Sequence, residues 1–329
     1  MSIFYLGPLV GPLLLSLVGG ILTERFGWKN IIWFLPAQGA SVFALVVVAL
    51  PETLSLDRRL DMPPTDLTLN NMEPQSVREI DRSGHLSKCH RLLQPLIPVT
   101  TLLFPAVFIT VFLASMAFGL CSVLIISLQA AFSQSPYRYS HIIVGILFLP
   151  SSLGCIIASI FGGGWVDRIM VQNAERARRY EDQGPLLCLP EDRLGPNAYT
   201  GLTIYPFGLI AYGWAIQYGV DWAVPSVAGF LFGVGVMMIF SATTAMAAEF
   251  LPQNSSIGVA VNKLMRNIFS CVSTIATQPL IDRIGHGWFF TTVGLFAYVT
   301  GYLSILLLKS QSGRWRLDME ASKERYRWR

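Results

Sequence analysis

Charge is scarce in this chain. Of its 329 residues only 13% are Asp, Glu, Lys or Arg, while 53% are hydrophobic. Soluble domains usually carry about a quarter charged residues, so the charged surface that a water-soluble fold of this length needs is missing. Inside the apolar runs the shortage is of one sign: no Asp or Glu lies in the middle of any run, and Asp221 and Glu249 stand only at run edges. An intramembrane carboxylate is a common proton carrier, and none stands in an obvious place. The phosphate-cradling pattern GxxxxGK[ST] is absent, as are HExxH and GxSxG. Their absence argues against ATP-driven pumping and against hydrolytic chemistry. His85, His90, His141 and His286 are scattered in loops or at run ends, where a solvated histidine is the default reading. The five Cys have no metal-ligand spacing and none is placed for an extracellular disulfide. No metal or cofactor is expected. The start, MSIFYLGPLVG, lacks a basic n-region and a small-residue cleavage site, so no removable signal peptide is read there.

What is present is apolar length. A membrane-spanning helix needs roughly 20 apolar residues, and eight runs qualify: 3–22, 31–50, 101–127, 142–164, 200–218, 222–248, 258–280 and 287–308. The expected fold class is all-α, a polytopic membrane helix bundle. Basic residues alternate between the gaps. Segment 51–100 carries Arg58, Arg59, Arg78, Arg82, Lys88 and Arg91; segment 165–199 carries Arg168, Arg176, Arg178, Arg179 and Arg193; the tail carries Lys309, Arg314, Arg316, Lys323, Arg325, Arg327 and Arg329. The other gaps hold few. By the positive-inside rule both termini are cytoplasmic, and the net charge of +4 is a topology signal rather than a nucleic-acid footprint. Residues 1–50 thus form two spans, 51–100 a polar linker, 101–309 six spans and 310–329 a basic cytoplasmic tail.

The seventh run is the most informative. Asn262, Arg266, Ser270, Ser273 and Thr277 follow one another at spacings of four, four, three and four, which places them within one arc of a helix. A polar stripe about four turns long should face protein or a water-filled cavity. An arginine two turns inside a span costs several kcal/mol unless it is hydrated or paired, and the bland alternative is snorkelling of Arg266 to the headgroups. In the third run Ser115, Ser122 and Gln129 recur every seven residues, suited either to interhelical hydrogen bonds or to solute binding. Met237, Met238 and Phe240 suit an adaptable apolar pocket or lipid contact. Small residues four apart, such as Gly154 with Ala158 and Gly229 with Gly233, let helix backbones approach closely. Gly11 and Pro12 are expected to bend the first run. Gly163-Gly164-Trp165-Val166-Asp167-Arg168 is expected to release the fourth run into a cytoplasmic loop, with Asp167 placed as a latch near helix N-termini.

These motifs together resemble the major facilitator superfamily. GGWVDR is similar to its cytoplasmic loop signature, YLGPLVGPLLLSLVGG to the Gly-Pro signature of the fifth span of drug:proton antiporters, and ALPETL to the end of their sixth span. PEDRLGPNAYTGLTIYPFGLIAYGWAIQYGVDWAVP and NKLMRNIFS resemble the fungal multidrug-resistance branch of quinidine-resistance type. The resemblance implies a six-span second half plus two spans of the first half, the first four spans being absent. It implies secondary transport of drugs or small organic molecules by proton-coupled antiport and alternating access, in the plasma or the vacuolar membrane. Small-molecule solute, protons and lipid would be the partners, with no nucleic acid. Asn262, Arg266, Ser270, Ser273, Ser122 and Gln129 would line the solute cavity. Gly163, Asp167 and Arg168 would act in gating, and Gly11 with Pro12 as a bend. The competing reading is a truncated, non-transporting membrane protein that at most associates with a full-length partner. An intramembrane enzyme is disfavoured, since no nucleophile or metal constellation appears.

Overall fold

The computed structural model describes residues 18–49, 102, 104–135, 137–176, 195–249 and 255–327. Regular structure among these residues is entirely helical apart from short turns. The helices are α1 (18–26), α2 (Trp28–Ala49), α3 (Pro105–Ser133), α4 (His141–Leu147), α5 (Leu149–Arg176), α6 (Pro196–Gln217), α7 (Ala223–Glu249), α8 (Ser255–Ile284) and α9 (His286–Arg327). Each overlaps one of the apolar runs, as expected when every backbone N–H and C=O must be satisfied within its own segment. Pro opens α3 and α6, where its missing N–H costs nothing.

Five stretches among the described residues are long and apolar enough to cross a bilayer: Lys29–Val48, Pro105–Ser133, His141–Arg176, Ala223–Met246 and His286–Gln311. The chain is therefore an integral, multi-pass membrane protein. The sequence reading expected eight spans. α6 and α8 have spanning length, 22 and 30 residues. Their runs are less apolar because α6 carries Asn197 and three Tyr, and α8 carries Asn262, Lys263, Arg266 and Asn267.

The chain divides into two compact units, residues 26–97 and a larger one of residues 1–25 with 98–329. In the smaller, α2 exposes apolar side chains such as Trp33, Phe43 and Val48. In the larger, α3 is the helix enclosed on most sides, packed on α7, α8 and α9. α6 lies between α7 and α9, with Leu202, Tyr205, Leu209 and Tyr212 fully buried.

Two contacts set the α5–α7 distance. A Cβ on Gly154 would lie 2.3 Å from the Phe230 carbonyl oxygen, and a Cβ on Gly233 would lie 2.2 Å from that of Ser151. The helices thus meet backbone to backbone, and the Cys155 thiol donates to the Gly233 carbonyl at 3.4 Å. Packing is what these small residues do here.

Three differences from the sequence reading concern helix ends. α5 continues through Gly162–Gly164 to Arg176, so the glycines do not release the helix, and the stretch expected as a loop is its last turns. Burial of Val166, Ile169 and Ala174 on one face outweighs the roughly 1 kcal/mol that each helical glycine costs. α3 runs to Ser133, which puts Gln129 inside the helix. α9 continues from the membrane run into the basic tail. Gly11, Pro12 and the linker 51–100 lie outside the described residues.

Candidate functional site

The site is built on two helix faces. α3 is largely buried, and its partly exposed residues include Phe118, Ser122, Ile125 and Gln129, spaced four, three and four apart, beside apolar neighbours such as Phe108, Phe112 and Ile126. α8 is divided lengthwise. Leu264, Ile268, Val272 and Ile275 form an exposed apolar face, suited to acyl chains. Asn262 and Thr277 are buried on the opposite side. Between them Lys263, Asn267 and Thr274 are exposed and Ser270 and Gln278 partly so, which gives a polar face that this chain leaves open.

The two faces meet. Ser122 and Ser270 share a hydrogen bond at 2.6 Å. One turn towards the N-termini of both helices, the Arg266 guanidinium carbon lies 4.3 Å from the centre of the Phe118 ring and 4.0 Å from that of Phe240 on α7. Cation–π contacts of this kind contribute about 0.5–2 kcal/mol, more as water is excluded. Gly119 makes room for Ser273, whose Oγ would lie 2.8 Å from a Cβ at that position. Pairing of 118 with 266 and 122 with 270 runs in the same direction along both helices, so α3 and α8 are parallel.

The remaining expected residues fall as follows. Asn262 is 1% exposed, and its side-chain oxygen has no hydrogen-bond partner. Thr277 donates to the Ser273 carbonyl at 2.6 Å, a local bond within the helix. Gln129 lies two turns C-terminal to Ser122 and lines a cleft of about 380 Å³, together with Gly19, Gly20 and Thr23 of α1, Ile125, His141, and Ser151 and Ser152 of α5. At its rim Glu24 accepts a hydrogen bond from the Ile142 N–H at 3.1 Å. His141, read from sequence as a loop residue in water, belongs to this cleft. Arg168 is exposed in the last turns of α5, where Gly163 is helical; the side chain of Asp167 is not among those described. Ser115 is fully buried with its hydroxyl unpartnered.

Sequence reasoning missed Phe118 and the open polar face of Lys263, Asn267 and Thr274. The spacing of that face was legible beside the first stripe, but which of two adjacent polar arcs turns inward depends on the neighbours of α8. Among the described residues no group of three or more His, Cys, Asp or Glu side chains could hold a metal ion.

A membrane bundle with one hydrophilic face is a transporter-like arrangement, and comparison with known proteins decides the family. The family described as Major Facilitator Superfamily matches residues 1–274. The chain belongs to the major facilitator superfamily. It is 36% identical over 301 residues to the MFS transporter OpS2 of Beauveria bassiana (strain ARSEF 2860), covering 91% of this chain and 86% of that protein. It is 37% identical over 214 residues to an MFS-type transporter of Gibberella moniliformis (strain M3125 / FGSC 7600), covering 64% and 93%. With the MFS antiporter QDR3 of Candida albicans (strain SC5314 / ATCC MYA-2876) it shares 24% identity over 96% of this chain and 60% of that protein. No solved structure matches it. As a facilitator-superfamily member with fungal relatives, the chain is a secondary transporter and not an enzyme.

Proposed function

We propose that the chain exports small organic molecules by proton-coupled antiport and alternating access, along the open face of α3 and α8. The observation that carries this reading is the meeting of the two polar arcs at Ser122–Ser270 and Arg266. Hydrophilic faces at membrane depth are costly against lipid and belong to a solute path. Asn262, Arg266, Ser270, Ser273, Ser122 and Gln129 line that path, and Gly163, Asp167 and Arg168 act in cytoplasmic gating. Relatives named as an antiporter and as quinidine resistance protein 3 support antiport and a drug-like solute. The parallel run of α3 and α8 supports a crossing by α6, since an odd number of crossings must separate two parallel spans and α5 and α7 alone make two. On that count α3–α9 correspond to the six-span second half, and 3–22 and 31–50 to two spans of the first.

The experiment is expression of the chain in an efflux-deficient host challenged with a drug panel. Arg266→Ala is expected to cut export at least tenfold at unchanged abundance. Unchanged export at equal abundance removes Arg266 from the path, and a chain that inserts but exports nothing is the non-transporting membrane protein.

Both termini are proposed to be cytoplasmic, in the plasma membrane or else the vacuolar one. The sequon Asn254-Ser255-Ser256, whose Asn lies outside the described residues, then faces the cytoplasm. Mass analysis of the expressed chain should find Asn254 unmodified, because glycans are added on the opposite face; a glycan there inverts the topology.

A further inference from the structure

We infer that the cleft beside Gln129 is a binding site for uncharged solutes: small molecules that carry a carboxamide or lactam on a flat apolar body. The inference rests on the solute path just proposed and names the class of solute held towards the C-terminus of α3. Its first ground is how the cleft is built. It lies wholly within the larger unit, among α1, α3, α4 and α5. The span His141–Arg176 breaks at Phe148, two residues before Pro150, whose ring and missing N–H disfavour an unbroken helix. His141, Val144 and Gly145 line the cleft from before the break, and Ser151 and Ser152 from after it. α1 closes one side: a Cβ on Gly20 would lie 2.7 Å from the His141 carbonyl oxygen, so the two backbones touch. The volume, about 380 Å³, falls within the range of small-molecule pockets, roughly 300–1,000 Å³.

The second ground is charge. No Asp, Glu, Lys or Arg lines the cleft. An ionised solute that leaves water there meets no counter-charge, and burying a charge unpaired is costly. At the rim, one carboxylate oxygen of Glu24 already accepts the Ile142 N–H at 3.1 Å. The lining therefore selects for solutes that bring hydrogen bonds without a charge.

The third ground is a set of polar groups still available to a ligand. Among the described residues, the side chains of Gln129, His141, Ser151 and Ser152 make no hydrogen bond to protein, and Gln129 is exposed. Thr23 donates to the Gly19 carbonyl at 2.6 Å, which leaves its oxygen able to accept. A carboxamide presents a carbonyl oxygen and N–H donors side by side. A solute amide facing Gln129 therefore gives one hydrogen bond and receives another, with the serine hydroxyls beside it. Ile125, 44% exposed, and Phe148, partly buried, supply apolar surface in the same cleft, which a flat ring covers.

The test uses the purified full chain in nanodiscs of zwitterionic lipid at pH 7.5, with the heat of empty nanodiscs subtracted. Four probes of similar shape are titrated by calorimetry: 2-naphthamide, its N,N-dimethyl derivative, 2-naphthoate and 2-naphthylmethylamine. Naphthamide is expected to bind at least about tenfold more tightly than the acid or the amine. It should bind several-fold more tightly than the dimethyl amide, which accepts hydrogen bonds but cannot donate them. Gln129→Leu should erase the advantage of naphthamide over the dimethyl amide. Gln129→Glu, nearly the same shape with a charge added, should favour the amine over the amide. Acid, amine or dimethyl amide binding as tightly as naphthamide overturns the inference, an equal amine pointing to Glu24 at the rim. Failure of all four to bind also overturns it, as does an amide advantage that survives Gln129→Leu. The comparison on the unaltered chain decides the matter if Gln129→Leu does not fold. The growth assay separates the two readings. Export confined to charged compounds leaves the transporter standing and overturns recognition of neutral solutes, whereas amide binding without export of any compound leaves the site standing and overturns the transporter.

Discussion

Gly233→Leu is expected to leave the chain unable to accumulate as a folded bundle, or to lower its melting temperature in detergent by at least about 10 °C. Even a single Cβ at Gly233 would sit 2.2 Å from the backbone oxygen of Ser151 and 3.1 Å from its carbonyl carbon. No side-chain rotation relieves a clash with main chain, so α5 and α7 must separate. Overpacking typically costs about 1–3 kcal/mol, and separation adds the lost contacts of Gly154 with Phe230 and of Cys155 with the Gly233 carbonyl. For a unit of this size each kcal/mol moves the melting temperature by roughly 2–4 °C. Gly162→Ala is the control. A Cβ there meets nothing within 4 Å, and alanine in a helix is favoured by about 1 kcal/mol over glycine. Melting should hold or rise. If both variants melt alike, close approach of α5 and α7 does not organise the bundle.

Asn262→Leu is expected to move stability and transport in opposite directions. Asn262 is 1% exposed with an unsatisfied oxygen, and such a group costs about 1–3 kcal/mol. Leucine, close to it in size, removes that cost and adds apolar contact. The melting temperature should rise by roughly 3–6 °C. If Asn262 serves the solute path, export by the same variant should fall at least tenfold. Stability retained at cost to packing is a mark of function. A variant that melts lower and exports in proportion to its abundance would make Asn262 an ordinary packing residue.

Much of this fold was legible because the bilayer simplifies the code: a run long enough to cross must be a helix. The run expected at 200–218 is Pro196–Gln217, and that at 222–248 is Ala223–Glu249. Ends were less legible, since hydropathy falls where the membrane stops while hydrogen bonding does not. That is why α5 carries GGWVDR as helix and α9 runs into the tail. The stripe on α8 was legible from spacing alone, and Ser122 and Gln129 likewise. The partners were not. Phe118 is one of several aromatic residues in an apolar run, and only the parallel packing of α3 on α8 brings its ring to Arg266. His141 is a similar case, drawn into a cleft by the docking of Gly20 beneath its carbonyl oxygen.

α9 has a mechanical consequence. Its 42 residues form one unbroken rod, about 63 Å long at 1.5 Å per residue, of which Gln311 ends the apolar part. The remaining stretch projects some 24 Å past that point. A 10° change in tilt within the bilayer therefore sweeps the distal end through about 4 Å. The tail is a lever arm that magnifies rocking of the bundle into a displacement on the far side of the headgroups.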